Sequence, residues 1–284
     1  MSQSPFEVLA EGFFFLEGPR WHEGRLWMSD MLEGSVYAMT EQGEITKISH
    51  VPGKPSGLNF LPDGRLVVVS MNDRCLMQVG EAGALSTYCR LGDLVTGAPN
   101  DSVVDHAGNI FVGNFGFDLA AGEAPKPANL VRVAPDGSAV VAADDMMFPN
   151  GTVITPDGAT LICAETFASR LTAFTREEDG RLTERRVWAD LGTHNPDGIC
   201  LDADGAVWVS SVEAGLYLRV AEGGEILQEL KPNGARAVAC ALGGADGRTL
   251  FALTFDAAMS EMWHGVPKAR VEVCRVDIPG AGFS

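Results

Sequence analysis

Five oxygen-bearing residues stand at matched positions ahead of a recurring glycine. Ser56, Asn100, Asn150 and Asp197 each lie eight residues before Gly64, Gly108, Gly158 and Gly205, and Glu17 lies seven before Gly24. Taken singly, such residues cap turns. A shared register is what a ring of equivalent strands needs to bring side chains to one point. Two carboxylates, Glu17 and Asp197, and the Asn150 amide oxygen then converge as expected metal ligands, with Asn100 and Ser56 as further oxygens. Like charges crowded at the end of a narrow channel repel unless positive charge sits between them, and an all-oxygen donor set suits a hard divalent cation. Calcium is the first expectation; Mg2+, Mn2+, Zn2+ or Fe2+ accept the same ligand types.

The elements that must position these residues are legible as a repeat. A tight turn ending in Gly and followed by an apolar strand occurs at Glu23-Gly24, Asp63-Gly64, Ala107-Gly108, Asp157-Gly158, Asp204-Gly205 and Asp246-Gly247, with successive glycines 40, 44, 50, 47 and 42 residues apart. That period is one four-stranded propeller blade, and Gly after Asp accepts the positive φ that a tight hairpin needs. Alternating apolar runs such as Leu66–Val69 and Val207–Ser210 follow the turns, and long helical periodicity is absent. A strand-like segment at Phe6–Leu9 precedes the first repeat and an apolar run at Arg270–Ile278 follows the last. The expectation is an all-β, six-bladed β-propeller of four-stranded blades, one domain over residues 1–284, its ring closed by N- and C-terminal strands that share a blade and leave no open edge. The sixth repeat offers only Arg236 or Ala237 at the site register.

Composition narrows the partners. A net charge of -17 excludes nucleic acid and an anionic membrane surface as partners and favours a cation or a small molecule. Met1–Ala10 lacks the basic and apolar regions of a secretory signal, and no apolar run reaches the length of a membrane span, so a cytoplasmic protein is expected. Oligomeric state has no signature here. The six cysteines, dispersed and without a CxxC pair, read as free buried thiols. No GxSxG elbow, HExxH, P-loop or dinucleotide-binding glycine motif is present, and the five histidines lack ligand spacing; His194, three residues before Asp197, is the one placed near the site. Trp27, Trp208 and Phe13–Phe15 read as core. Gly113–Asn129, rich in Gly, Ala and Pro, reads as a long surface loop at the metal face, a substrate lid with Asn114, Phe117 and Asp118 as its contacts.

The stretches Glu17-Gly-Pro-Arg-Trp21, Pro99-Asn-Asp101, Pro149-Asn-Gly151 with Thr155-Pro-Asp-Gly158, and Pro196-Asp-Gly198 resemble the senescence marker protein (regucalcin), gluconolactonase and luciferin-regenerating enzyme family across essentially the whole chain. The resemblance implies that Glu17, Asn150 and Asp197 bind the metal, that Asn100 contacts substrate or metal, and that the reaction is hydrolysis of a small lactone or related ester. The cation would polarise the carbonyl while Asp197 takes the proton of the attacking water. A phosphotriesterase-like hydrolase with Asp197 as nucleophile or base, and a propeller that binds metal or protein without catalysis, are the alternative readings. One departure bears on substrate: sugar-lactone hydrolases of the family often carry Arg two residues before the Asn100 position, where this chain has Ala98. A methyl group cannot grip hydroxyls as a guanidinium does, so a less hydroxylated substrate than gluconolactone is expected.

Overall fold

Six antiparallel four-stranded sheets make the structure, a computed structural model that describes residues 4–282; residues 1–3 and 283–284 of the expected 1–284 unit lie outside it. The innermost strands are Leu16–His22, Pro55–Phe60, Pro99–Val104, Pro149–Ile154, Pro196–Leu201 and Arg236–Gly243. Each touches the innermost strand of the next sheet, and the sixth returns to the first, so the sheets form a closed six-bladed β-propeller. Each recurrent turn glycine joins an innermost strand to its second strand with φ between +71° and +86°. The sixth blade is composite. Its outermost strand is the N-terminal Glu7–Phe13, paired antiparallel with Ala269–Arg275, which closes the ring as the two apolar end segments foretell.

Apolar faces of neighbouring blades pack against one another. Ile162 and Leu171 of blade 4 meet Ile199 and Val209 of blade 5, while Phe111 and Leu130 of blade 3 meet Leu161 and Phe174 of blade 4. Burying each such side chain stabilises the fold by roughly 1.5–3 kcal/mol. At the closing seam Trp21 stacks on Phe251 at 5.1 Å and 17°. Trp208 is fully buried as expected, whereas Trp27 is half-buried with its ring edge on Phe60. All six cysteines are buried and none forms a disulfide; the Cys200 and Cys240 sulfurs are 3.6 Å apart.

Every innermost strand carries a register slip near its start: between Glu17 and Arg20, Pro55 and Leu58, Pro99 and Ser102, Pro149 and Thr152, Pro196 and Ile199, and Ala237 and Ala239. A bulge leaves residues unpaired and re-aims their side chains. Ser56, Asn100, Asn150 and Asp197 fall inside these slips and Glu17, paired with Ser29, borders one, the local reason why five strands present a polar group at one level. Proline suits the first position of four of these strands because no ladder donor is needed there.

Candidate active site

The bulged residues join into a directional chain at one mouth of the channel. The Ser56 hydroxyl donates to Asn100 Oδ1 at 2.8 Å, Asn100 Nδ2 donates to Asn150 Oδ1 at 2.9 Å, and Asn150 Nδ2 donates to Asp197 Oδ1 at 2.6 Å. Glu17 follows around the ring, and one of its oxygens accepts the Gly18 N–H at 3.3 Å. Close approach of the strands makes this reach possible. A Cβ on Gly151 would lie 2.5 Å from the Asp197 carbonyl oxygen, so only glycine fits beside its neighbour strand. Gly18 turns at φ +55°, a conformation that favours glycine. In blade 3 the corresponding residue is Asp101, which forms a buried ion pair with Arg20 at 3.0 Å. Arg20 also donates to the carbonyls of Pro19 and Ser102.

Both carboxylates at the mouth are held against ionisation. Burial pushes the Glu17 carboxyl well above its usual range, and the Asp197 and Asp101 charges push it further. Burial also raises Asp197, to about 7, with Asp101 adding to the effect and the Asn150 hydrogen bond opposing it. More negative than positive charge therefore converges here, a demand that a proton or a cation can meet. Among the described residues no group of three or more His, Cys, Asp or Glu side chains is placed to hold a metal; the candidate set is two carboxylates with amide oxygens. Asn150 now spends its oxygen on Asn100 and its nitrogen on Asp197, and a turn of the planar amide exchanges the two.

Glu17, Asn100, Asn150 and Asp197 form the floor of a cavity of about 400 Å³, within the usual size of a small-molecule site. Its walls are apolar. Phe115 and Leu119 come from the loop leaving blade 3, Phe148 and Phe167 flank the start and the first outer turn of blade 4, and Met259 and Trp263 come from a short helical turn at Met259–His264 in blade 6. A second cavity of about 420 Å³ opens at the opposite end of the channel between Arg20, Phe60, Asp105, Ile154 and Leu242, where no comparable set of oxygens converges among the described residues.

A sequence profile described as the SMP-30/Gluconolactonase/LRE-like region matches residues 15–256, the segment that carries every floor residue. The chain belongs to that family. The 6-deoxy-6-sulfogluconolactonase of Pseudomonas putida is 25% identical over 279 residues, covering 93% of this chain and 92% of its own. The pentonolactonase of Haloferax volcanii is 25% identical over 275 residues, covering 94% and 91%. In fold, the chain matches a regucalcin from Agrobacterium tumefaciens, described as a calcium-binding protein, with a TM-score of 0.82 at 22% identity over 96% of this chain and 94% of that one.

In this gluconolactonase-family chain the expected ligands Glu17, Asn150 and Asp197 meet, with Asn100 beside them, whereas the three expected loop contacts do not line the cavity. Asn114 is fully buried, and its Oδ1 accepts the Gly97 and Gly116 N–H groups at 3.0 and 3.1 Å while its Nδ2 donates to the Asn129 carbonyl at 2.6 Å. It ties both ends of the loop together. Asp118 caps a turn by accepting the Ala121 N–H at 3.0 Å. Phe117 is buried behind the wall, its ring 5.5 Å from Phe167 and 6.5 Å from Phe148. Loop residues Phe115, Leu119, Ala120 and Gly122 line the mouth instead. His194 places Nδ1 3.0 Å from Ser211 Oγ and is not a lining residue. Ala98, also not lining, packs on the central core and accepts the Phe115 N–H at 3.0 Å. Sequence reasoning missed Phe148, Phe167 and Trp263, which have no repeated register, and placed Phe15 in the core alone, although it faces both the core and the cavity.

Proposed function

We propose that the protein is a divalent-metal-dependent hydrolase that opens a small lactone, with Glu17, Asn150 and Asp197 as the metal's ligands and Asp197 as the base. The observation that carries this reading is the convergence of two buried, ionisation-resistant carboxylates and two amides on the floor of an apolar cavity, in a chain of the gluconolactonase-like family. The donor set fits a hard cation, calcium first, because its oxygens carry the excess negative charge that such an ion neutralises. When bound, the cation supplies Lewis acidity toward the substrate carbonyl.

The chain's own residues do the rest. Asn100, braced by the Ser56 hydroxyl, holds the substrate end over the floor. Asp197, oriented by Asn150, accepts the proton of the attacking water and returns it to the leaving alkoxide. Phe115, Phe148 and Phe167 exclude bulk water from the reacting carbonyl, which strengthens the electrostatic contacts there. The relatives named above by activity hydrolyse lactones by name, and this favours the lactone reading over a phosphotriesterase.

The test is turnover of a panel of sugar and aliphatic lactones by chelated protein reloaded with each divalent metal. Asp197→Asn keeps an oxygen for the metal and removes the base, so turnover is expected to fall about a hundredfold or more at saturating metal. Wild-type turnover in that variant would reject the base; absence of turnover with every metal would reject the hydrolase.

A further inference from the structure

The walls of the cavity say more than its floor. Resting on the lactonase reading, we propose that the substrate is an uncharged, sparsely hydroxylated lactone carrying an apolar tail, with the ring on the polar floor and the tail between the Phe148–Phe167 pair and Trp263.

Three observations carry this. First, the apolar wall is built rather than incidental. Phe148 and Phe167 stack at 5.5 Å and 28°, Phe115 meets Phe148 edge-on at 4.6 Å, and Phe117 braces both Phe148 and Phe167 from behind. Yet Phe167 is 41% exposed, and Met259 and Trp263 are only partly covered. Aromatic surface held open around a concave site is surface that an apolar ligand would remove from water.

Second, the walls of the cavity have no cationic side chain to offer. Among the described residues no Lys, Arg or His lines it, and the carboxylates of Glu17, Asp197 and Glu213 do. The Lys54 ammonium lies 4.8 Å from the centre of the Trp263 ring and is not a lining group. An anionic group on the part of the substrate remote from the metal would lie near Glu213 with no side chain to pair against.

Third, the amide donors of two lining residues are spent within the protein. Asn150 Nδ2 gives its hydrogens to Asp197 and Thr166, and Asn195 Nδ2 gives its own to the Thr166 carbonyl and Ser169. A sugar ring would surrender hydration on hydroxyls laid against Phe115, Phe148, Phe167 and Trp263 with no bonds in return, the imbalance that makes buried unpaired polar groups costly. The sulfonated sugar lactone named for the Pseudomonas putida relative combines both problems.

The experiment compares kcat/KM of the metal-loaded protein for three six-membered lactones: δ-decalactone with its pentyl tail, tailless δ-valerolactone, and glucono-δ-lactone. A fully buried methylene contributes about a fourfold gain. If half of the tail's effect is realised, δ-decalactone should exceed δ-valerolactone about thirtyfold, and gluconolactone should rank below both. Phe167→Ala and Trp263→Ala, at partly exposed positions, are each expected to lower the decalactone-to-valerolactone ratio about threefold or more. The second readout is calorimetric binding of the non-hydrolysable six-membered lactam with the same pentyl tail, which should be tighter than that of the tailless lactam and carry a negative heat-capacity change. A decalactone-to-valerolactone ratio near one, or a preference for gluconolactone, overturns the proposal and leaves the lactonase standing. If none of the three lactones is hydrolysed with any metal, the lactonase reading falls; tail-dependent lactam binding then still supports an apolar-ligand site, and its absence overturns that too.

Discussion

Replacing Asp197 with Asn in the metal-free protein is expected to make it more stable at pH 8 even as turnover is lost. Burial raises the Asp197 carboxyl from the ordinary 3.8 to about 7. The folded chain therefore holds this proton more tightly than the unfolded chain. The group's stabilising contribution is full below about pH 4 and is lost as pH climbs toward 7. A span of about three pH units at about 1.4 kcal/mol each makes the loss about 4 kcal/mol at most. Between pH 5 and pH 8 the part still to be lost is about 2–3 kcal/mol, because the folded-state proton leaves in that window. Asparagine at this position keeps an oxygen to accept the Asn150 N–H. Urea unfolding of chelated wild type and Asp197→Asn at pH 5, 6, 7 and 8 reads this directly. The stability of the variant minus that of wild type should grow by about 2–3 kcal/mol from pH 5 to pH 8. Because the comparison is between two nearly identical chains, the general repulsion of a chain with net charge -17 largely cancels. Saturating divalent metal should shrink or reverse the difference, since the wild-type carboxylate then has its partner. A difference that stays constant with pH, or a variant less stable than wild type at pH 8, would show that Asp197 does not carry the burden of a buried charge. A site kept at such a cost is the usual trade of stability for function.

Two further outcomes follow from the same residues. Titrating chelated protein with calcium should show one tight site per chain and raise stability by about 2.7 kcal/mol at a hundred times Kd; Glu17→Gln should weaken that binding, and unchanged thermal stability with every divalent cation would remove the metal from the reading. Arg20→Met strands the Asp101 carboxylate, buried at the centre of the channel 3.0 Å from its partner, and should destabilise the protein by about 3–5 kcal/mol. Arg20→Met with Asp101→Leu should recover much of that loss, and urea midpoints of the single and double variants decide it.

The blade count and the inner-strand register were readable because their signals are local. A turn glycine at positive φ, an apolar strand after it and a fixed interval to the next turn are properties of ten or so neighbouring residues, repeated six times. That register alone brings Glu17, Asn100, Asn150 and Asp197 to one level, and the two apolar end segments imply the shared closing blade. The reading of the long loop went astray at Asn114. Its polar side chain looked available in sequence, but the loop's own backbone N–H groups needed an acceptor, and the nearest one was used.

What the amino-acid sequence determined by itself, then, is the periodic part of this protein: six blades, a closed ring and a set of oxygens aligned at one mouth. Tertiary structure decided everything that has no period. The cavity wall draws on Phe115, Phe148, Phe167 and Trp263 from loops of three different blades, each free to vary in length, so no interval in the sequence announces their meeting. The pairing of Arg20 with Asp101 spans 81 residues, and the direction of the hydrogen-bond chain that ends on Asp197 depends on which amide faces which neighbour. Local rules place a residue on a strand; only the packing of one blade against the next decides what that residue touches.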